Sequence, residues 1–356
     1  MDRAFRFGRK GWGFKSLRAH QVEQILISLR EPPYRLKQIQ QAIYQEHIFN
    51  YGQMAGLPLT VRKTLKDKLG EVLTLKPVKV ETGQMAKKVL FSTRDGARLE
   101  SVMTLNKPFV CLSSMSGCNL GCKFCSTASM GLVKKLTADE IVDQVLYFAK
   151  NDHFHGHLTF MGMGEPLLNE NNVFTALKIF LDPHGLNIGQ RKISLSTVGI
   201  IPGIKRLTRE FPQVNLTFSL HTPFNHQRSE LMPVNKLYPL AQVMPVINQH
   251  IAKTKRKVFL AYLLLREIND SSEHAQALVK LINRQGKFKY LYHVNLIRFN
   301  SGSQSGRFQR SPEAKLLAFS DILTNNKIPH TLRQSFGEDI HAACGQLCVK
   351  MGLSRA

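Results

Sequence analysis

Three cysteines crowd into eight residues in the stretch CNLGCKFC, at Cys118, Cys122 and Cys125. Spacings of three and two intervening residues bring thiolates to one loop, and a closed tetrahedral metal site would need a fourth ligand nearby. None follows in the local sequence. Three thiolates suit a [4Fe–4S] cluster in which one iron keeps no protein ligand and is left open for a small molecule. The fourth ligand is then expected to be a cofactor. Two alternatives stay open on these residues alone: a zinc ion completed by a remote histidine, or three unligated buried thiols. Gly117 and Gly121 flank the first cysteines and let backbone wrap closely around a bulky group.

Other residue types capable of chemistry lie far from this loop. GMGEP (Gly162–Pro166) follows a β-rich run; its glycines permit close backbone approach, and Glu165 offers an acceptor for an ammonium group. A glycine-rich strand end is also an ordinary tight turn. Ser196, His221 and Asn300 fall near the ends of further β-rich runs, though a lone histidine there is commonly a buried, hydrogen-bonded side chain. Cys111 and Cys344 stand isolated, as buried cysteines often do. Glu100, in RLESV, reads on its own as a surface side chain on a strand.

The elements that must position these groups follow from periodicity. SLRAHQVEQILISL and YRLKQIQQAIYQEHI carry apolar residues at helical spacing, broken by PPY, so residues 15–70 are expected to be helical. From about 75 to 112 the pattern changes to strands, with KVLFSTRDGARLESVMTL turning at DG as a hairpin. A domain boundary is expected near residues 85–90. Beyond it HLTFMGMG, RKISLSTV, VNLTFSLH, KVFLAYLLL, KYLYHVNLIRF and IPHTLRQSF are short β-rich runs. TADEIVDQVLYFAK, EHAQALVKLINRQ and SPEAKLLAFSDIL between them are helical. That alternation predicts parallel βα units forming an open or closed barrel, whose strand-end rim is where chemistry sits. Residues 301–311 (SGSQSGRFQRS) are expected to be a flexible basic loop.

Composition bounds the rest. At 43% hydrophobic over 356 residues the chain can bury a core, enough for one large α/β domain and a smaller appendage. No apolar run is long enough for a membrane span, and the basic N-terminus lacks an apolar signal core, so a cytoplasmic protein with no membrane partner is expected. The six cysteines do not suit a disulfide scaffold. The net charge of +24 is uneven, at +8 over residues 1–70, +4 over 101–250 and +10 over 251–356. Basic flanks around a nearly neutral middle suit a polyanion, nucleic acid above all, although a solvated basic surface carries the same charge.

CNLGCKFC resembles the signature of radical S-adenosylmethionine (SAM) enzymes. KFCSTASMG, MGMGEPLLN, LSTVGIIP, NLTFSLH, HVNLIRFN and AACGQL, in order over residues 20–348, resemble the Cfr/RlmN class of radical SAM RNA methyltransferases. The resemblance implies a partial (β/α)6 barrel over 89–350, a small helical RNA-binding accessory domain over 1–88, and a tail over 351–356. It implies that SAM chelates the open iron and is contacted by Gly164, Glu165, Ser196, Ser219, Leu220, His221 and Asn300. The substrate it implies is large-subunit ribosomal RNA, with tRNA as a second one in one branch.

Such a target explains a second pair of cysteines. Carbons 2 and 8 of adenine are electron-poor and do not attack an electrophilic methyl group. By resemblance, Cys344 takes a methyl from one SAM, a thiolate being the competent nucleophile. A second SAM, cleaved by one electron from a donor such as flavodoxin, yields a radical that removes hydrogen from that methyl. The carbon radical then adds to the adenine. Glu100 or Cys111 removes the proton, and Cys111 closes a disulfide with Cys344 as product leaves. The enzyme is expected to be a monomer. His341 stands just before AACGQL where the class commonly carries an acid, and features of both the C2 and the C8 branches are mixed. Cys348 matches no role in the class. A radical SAM enzyme for a non-RNA substrate would leave Cys111, Cys344 and the charge unexplained. A non-catalytic zinc-bearing RNA-binding protein is the other alternative, and it would be colourless where a cluster protein is brown.

Overall fold

The computed structural model describes residues 16–106, 108–154, 156–301 and 307–349. Three helices come first: α1 (Leu17–Ser28), α2 (Tyr34–Tyr44) and α3 (Leu59–Leu69). Ser16 caps α1 by accepting from the N–H of Ala19, as a short polar side chain at that position should. Their apolar faces bury Val22, Leu26, Ile39, Ile43, Val61 and Leu65, which matches the expected helical run. Basic residues 9–15 lie outside the described residues.

Strands β1 (Lys76–Thr82), β2 (Ala86–Ser92), β3 (Arg98–Thr104) and β4 (Phe109–Cys111) follow. β2 and β3 form the expected hairpin, pairing from Ala86↔Thr104 to Ser92↔Arg98, with Gly96 of the DG turn at φ +82°. β5 (Met115–Cys118) and β6 (Gly131–Lys135) make a separate two-stranded sheet. Its register slips at Ser116/Gly117. Gly117 sits there at φ +76°, and a Cβ would lie 1.9 Å from the carbonyl oxygen of Gly131, so only glycine permits this approach.

The chain then runs α4 (Ala138–Asp152), β7 (His157–Phe160), α5 (Glu170–Leu181), β8 (Ile193–Thr197), α6 (Ile201–Glu210) and β9 (Asn215–Ser219). It continues α7 (Asn225–Leu231), α8 (Leu240–Thr254), β10 (Val258–Leu264), α9 (Ser272–Asn283), β11 (Tyr292–Arg298), α10 (Glu313–Asn325) and β12 (His330–Leu332). The ten-stranded sheet has the order β1-β2-β3-β4-β7-β8-β9-β10-β11-β12. From β4 to β12 all neighbours are parallel. Apart from β5 and β6, which intervene between β4 and β7, these strands follow chain order with helices between them, the singly wound order of a βα barrel. β1 and β12 stand at opposite ends of that order and do not pair, so the sheet stays open, as the expected partial (β/α)6 barrel requires.

The described chain falls into two compact units. One gathers the N-terminal helices to Lys76 with the segments around α4 and α5; the other begins at Pro77 and holds every strand. Residues 85–90 fall at the β1–β2 turn and in β2 itself.

One expectation is corrected. Part of the 301–311 loop, residues 302–306, lies outside the described residues, but its C-terminal end is anchored rather than loose. Arg310 bridges to Leu265, Gln309 accepts from the N–H of Arg266, and Ser311 Oγ donates to the buried Asp270 at 2.7 Å. No described helix is long and apolar enough to cross a membrane.

Candidate active site

Cys118 ends β5, and Cys122 and Cys125 ride the loop after it. The N–H of Cys125 turns back to the carbonyl of Cys122 at 3.1 Å, and the N–H of Lys123 donates to Leu231 at the end of α7. The three sulfurs lie within electrostatic reach of one another. Burial first, and then neighbouring thiols and Glu165, push Cys118 up to about 11 and Cys122 further; Cys125 is raised too. Such thiols stay protonated at neutral pH until a metal displaces the proton. Among the described residues no three His, Cys, Asp or Glu side chains gather closely enough to hold a single ion. Thiolates at the corners of a cube each take a different iron and need not share a point, so the donor set fits a [4Fe–4S] cluster with one open iron.

Glu165 is 4% exposed. Its Oε1 accepts from the N–H of Leu167 at 3.0 Å and Oε2 from the N–H of Val198 at 2.9 Å. No cationic side chain pairs with it among the described residues, and burial lifts its pKa to about 7. A buried carboxylate lacking a cation suits an ammonium ligand. Gly164, at φ +93°, packs so tightly on β5 that a Cβ would lie 2.5 Å from that of Met115.

The other expected SAM contacts gather on the same rim. Ser196 of β8 and Ser219 of β9 bring their hydroxyls within 3.2 Å. Leu220 is fully buried. His221 is buried at φ +59°, with Nδ1 accepting from the N–H of Leu263 at 3.0 Å, which assigns the proton to Nε2. Burial and the nearby Arg228 drop its pKa to about 3, so it offers a neutral ring. That ring meets Phe124, between the last two cysteines, edge to face at 5.0 Å. Asn300 is buried and accepts from Ser335 Oγ at 3.2 Å.

The isolated cysteines converge here as well. The N–H of Ser126 donates to Gly345 at 2.9 Å and Thr127 Oγ1 to Leu347 at 2.7 Å, fastening the Cys344 loop to the three-cysteine loop. Gln346 fastens its other side, donating to Ser301 next to Asn300 at 2.9 Å. Cys344 is exposed and Cys111, closing β4, is half-buried; both are free thiols. Each lies within the field of the site's other thiols. Burial and then Cys344 push Cys111 up to about 12. Protein crowded around Cys344 raises its thiol, with Arg333 pulling the other way and Cys125 adding to the rise.

Glu100 is buried, not a surface side chain. Its Oε1 faces Lys88 Nζ at 3.2 Å and its Oε2 accepts from the N–H of Cys348 at 3.0 Å. Burial raises its pKa and Lys88 opposes the rise. Cys348 is thus engaged through its backbone, and its sulfur lies within the field of Cys125. Lys88, Arg228 and Arg333 were not singled out from sequence. Their chemistry depends on what the fold sets against them, and no spacing reveals that.

The Radical SAM superfamily model matches residues 112–279. The chain is 46% identical over 331 residues to "Ribosomal RNA large subunit methyltransferase Cfr" of Lachnoclostridium phytofermentans, covering 92% of this chain and 96% of the relative. The protein of that name from Staphylococcus warneri is 45% identical over 331 residues, covering 92% and 95%. Among solved structures, a radical SAM methyltransferase from Sphaerobacter thermophilus superposes with a TM-score of 0.87 at 36% identity, covering 94% of this chain and 99% of that one.

Proposed function

We propose, from the premise that this chain belongs to the Cfr family of radical SAM methyltransferases, that it methylates carbon 2 or carbon 8 of an adenosine in large-subunit ribosomal RNA. Membership brings SAM and a [4Fe–4S] cluster as cofactors. When bound, they supply one-electron cleavage of a sulfonium and hence a carbon radical able to take hydrogen from an unactivated methyl group.

The chain's own residues do the rest. Cys118, Cys122 and Cys125 hold the cluster. Glu165 takes the ammonium of SAM, while Ser196, Ser219, Leu220, His221, Asn300 and the Gly164 backbone shape the rest of its pocket. Cys344 carries the methyl group as a thioether, loses one hydrogen from it, and joins through that carbon to the adenine. Glu100, held between Lys88 and the Cys348 N–H, or Cys111 takes the proton. The bond between the Cys344 sulfur and the new carbon breaks as Cys111 captures that sulfur in a disulfide. The carbon stays on the adenine and takes a proton from solvent, and the one electron left over would return to the cluster that the SAM cleavage had oxidised. With one SAM as methyl donor and one as radical source, a turnover uses two, and the disulfide needs a reductant before the next. A low-potential donor of the flavodoxin kind supplies the electron; the enzyme works as a monomer in the cytoplasm.

The observation that carries this reading is the fastening of the Cys344 loop to Ser126 and Thr127, directly after Cys125. A methyl-bearing cysteine has to lie beside the radical source, and those two bonds, which hold its loop against the three-cysteine loop, support that reading. The test is anaerobic incubation with SAM, reductant and either large-subunit rRNA or tRNA, then mass spectrometry of the nucleosides. A C-methylated adenosine is expected from rRNA. Adenosine methylated only at nitrogen or ribose oxygen, or left unmodified, would refute it.

A further inference from the structure

Arg228, on α7, is fully buried. Its guanidinium donates from Nε to Leu220 O at 3.1 Å, from Nη1 to Asn235 Oδ1 at 2.7 Å, and from Nη2 to Val198 O at 2.8 Å and Ser219 O at 2.9 Å. It also lies over the Phe218 ring, 5.0 Å from its centroid. All four acceptors are neutral, and among the described residues no carboxylate comes within ion-pair distance. A buried cation without a counter-ion is strongly disfavoured, and burial indeed pulls this guanidinium down to about 10. Its charge acts on the side chain of Cys122, one of the three cysteines of the loop. α7 grips the same loop through Leu231 and Lys123, and Pro233 just beyond lies against Gly121.

We propose that Arg228 is the buried counter-cation of the iron–sulfur cluster, a positioning residue that touches neither SAM nor RNA but sets the potential at which the cluster accepts its electron. The proposal rests on the three cysteines holding that cluster. A cluster on three thiolates is a net anion and gains a further negative charge on one-electron reduction. A fixed positive charge in a low-dielectric interior therefore stabilises the reduced form more than the oxidised one. Four of the five guanidinium N–H groups are already used, so the residue acts through its charge rather than as a donor to the cluster.

The competing role is a staple that merely ties the ends of β8 and β9 to α7. Full-length enzyme reconstituted anaerobically separates the two. Its bound iron is measured, and its midpoint potential is read by EPR in a redox titration with dithionite. Arg228→Met should lower the potential by at least a tenfold change in the reduced-to-oxidised ratio at fixed poise, about 59 mV for one electron. Arg228→Lys should recover most of that shift. Asn235→Ala, which removes a partner of Arg228 but no charge, should leave the potential at the wild-type value. Should the methionine variant fail to fold, Arg228→Gln drops the charge while keeping a donor amide and carries the same expectation. Iron-replete Met or Gln protein with an unmoved potential overturns the proposal, as does an Asn235→Ala shift of equal size. Wild-type protein that binds no iron overturns the cluster reading itself, and the proposal with it.

Discussion

Replacing Glu165 with glutamine should make the ligand-free protein more stable at neutral and alkaline pH. Burial lifts the Glu165 pKa from 4.5 to about 7. At about 1.4 kcal/mol for each tenfold change in proton affinity, keeping it ionised costs the empty fold about 3 kcal/mol. The folded state holds this proton more tightly than the unfolded chain, so between about pH 4.5 and 7 it binds more protons and stability falls as pH rises. Below that window the penalty is absent; above it, complete. Glutamine is neutral throughout. Urea unfolding of cluster-free, SAM-free protein should therefore show equal stability near pH 4 and an advantage for Glu165→Gln of up to about 3 kcal/mol at pH 8. The amide accepts from only one of the Leu167 and Val198 N–H groups, which trims that gain. On the proposed assignment SAM should reverse the sign, because its ammonium would pair with the carboxylate. Wild-type binding should release a proton and tighten about tenfold from pH 6 to pH 8, while Glu165→Gln binds weakly at both. Parallel stability curves for the two proteins across this range would refute the reasoning.

Alanine at Cys118, Cys122 or Cys125 should remove the brown cluster and abolish 5′-deoxyadenosine release from SAM, measured by liquid chromatography. Cys111→Ala should accumulate a covalent protein–RNA adduct visible on a denaturing gel, whereas Cys344→Ala should form none. Lys88→Met removes the cation that opposes the burial-driven rise at Glu100. Since that carboxylate must be ionised to take a proton, the acid limb of the rate profile should move to higher pH, and an unmoved limb would leave Cys111 as the base.

The parallel part of the fold was legible because each of the six β-rich runs became one strand of the array and the three helical runs became α4, α9 and α10; the helices α5 to α8 between the earlier strands carried no run that stood out. Periodicity could not show that the β1–β3 segment, read as lying across a boundary, extends the same sheet. That depends on β3 pairing with β4 through Val102↔Cys111 and Met103↔Val110, and an amphipathic pattern does not say which edge a strand will join. Gln309–Ser311 looked loose because serine, glycine and glutamine around it favour turns; the buried Asp270 that anchors it lies 41 residues away. The cysteine triplet and GMGEP stood out by type and spacing. The fastening of Cys344 was hidden, since Thr127 and Leu347 are 220 positions apart. Arg228 was invisible among 49 basic residues, most of which a basic chain must leave in water. Among the described residues Arg18 and Lys88 are buried too, but each meets a carboxylate; burial without one is what marks Arg228.

The proposed carrier role of Cys344 can be read directly from isotope placement. With SAM whose methyl group is fully deuterated, the methyl on Cys344 would on this proposal lose one deuterium to the adenosyl radical before its carbon reaches the base, and solvent would later replace that atom. The modified adenosine should carry two deuterium atoms in its new methyl group, with the third in 5′-deoxyadenosine. A product methyl retaining all three would mean direct transfer, with no hydrogen removed on the way.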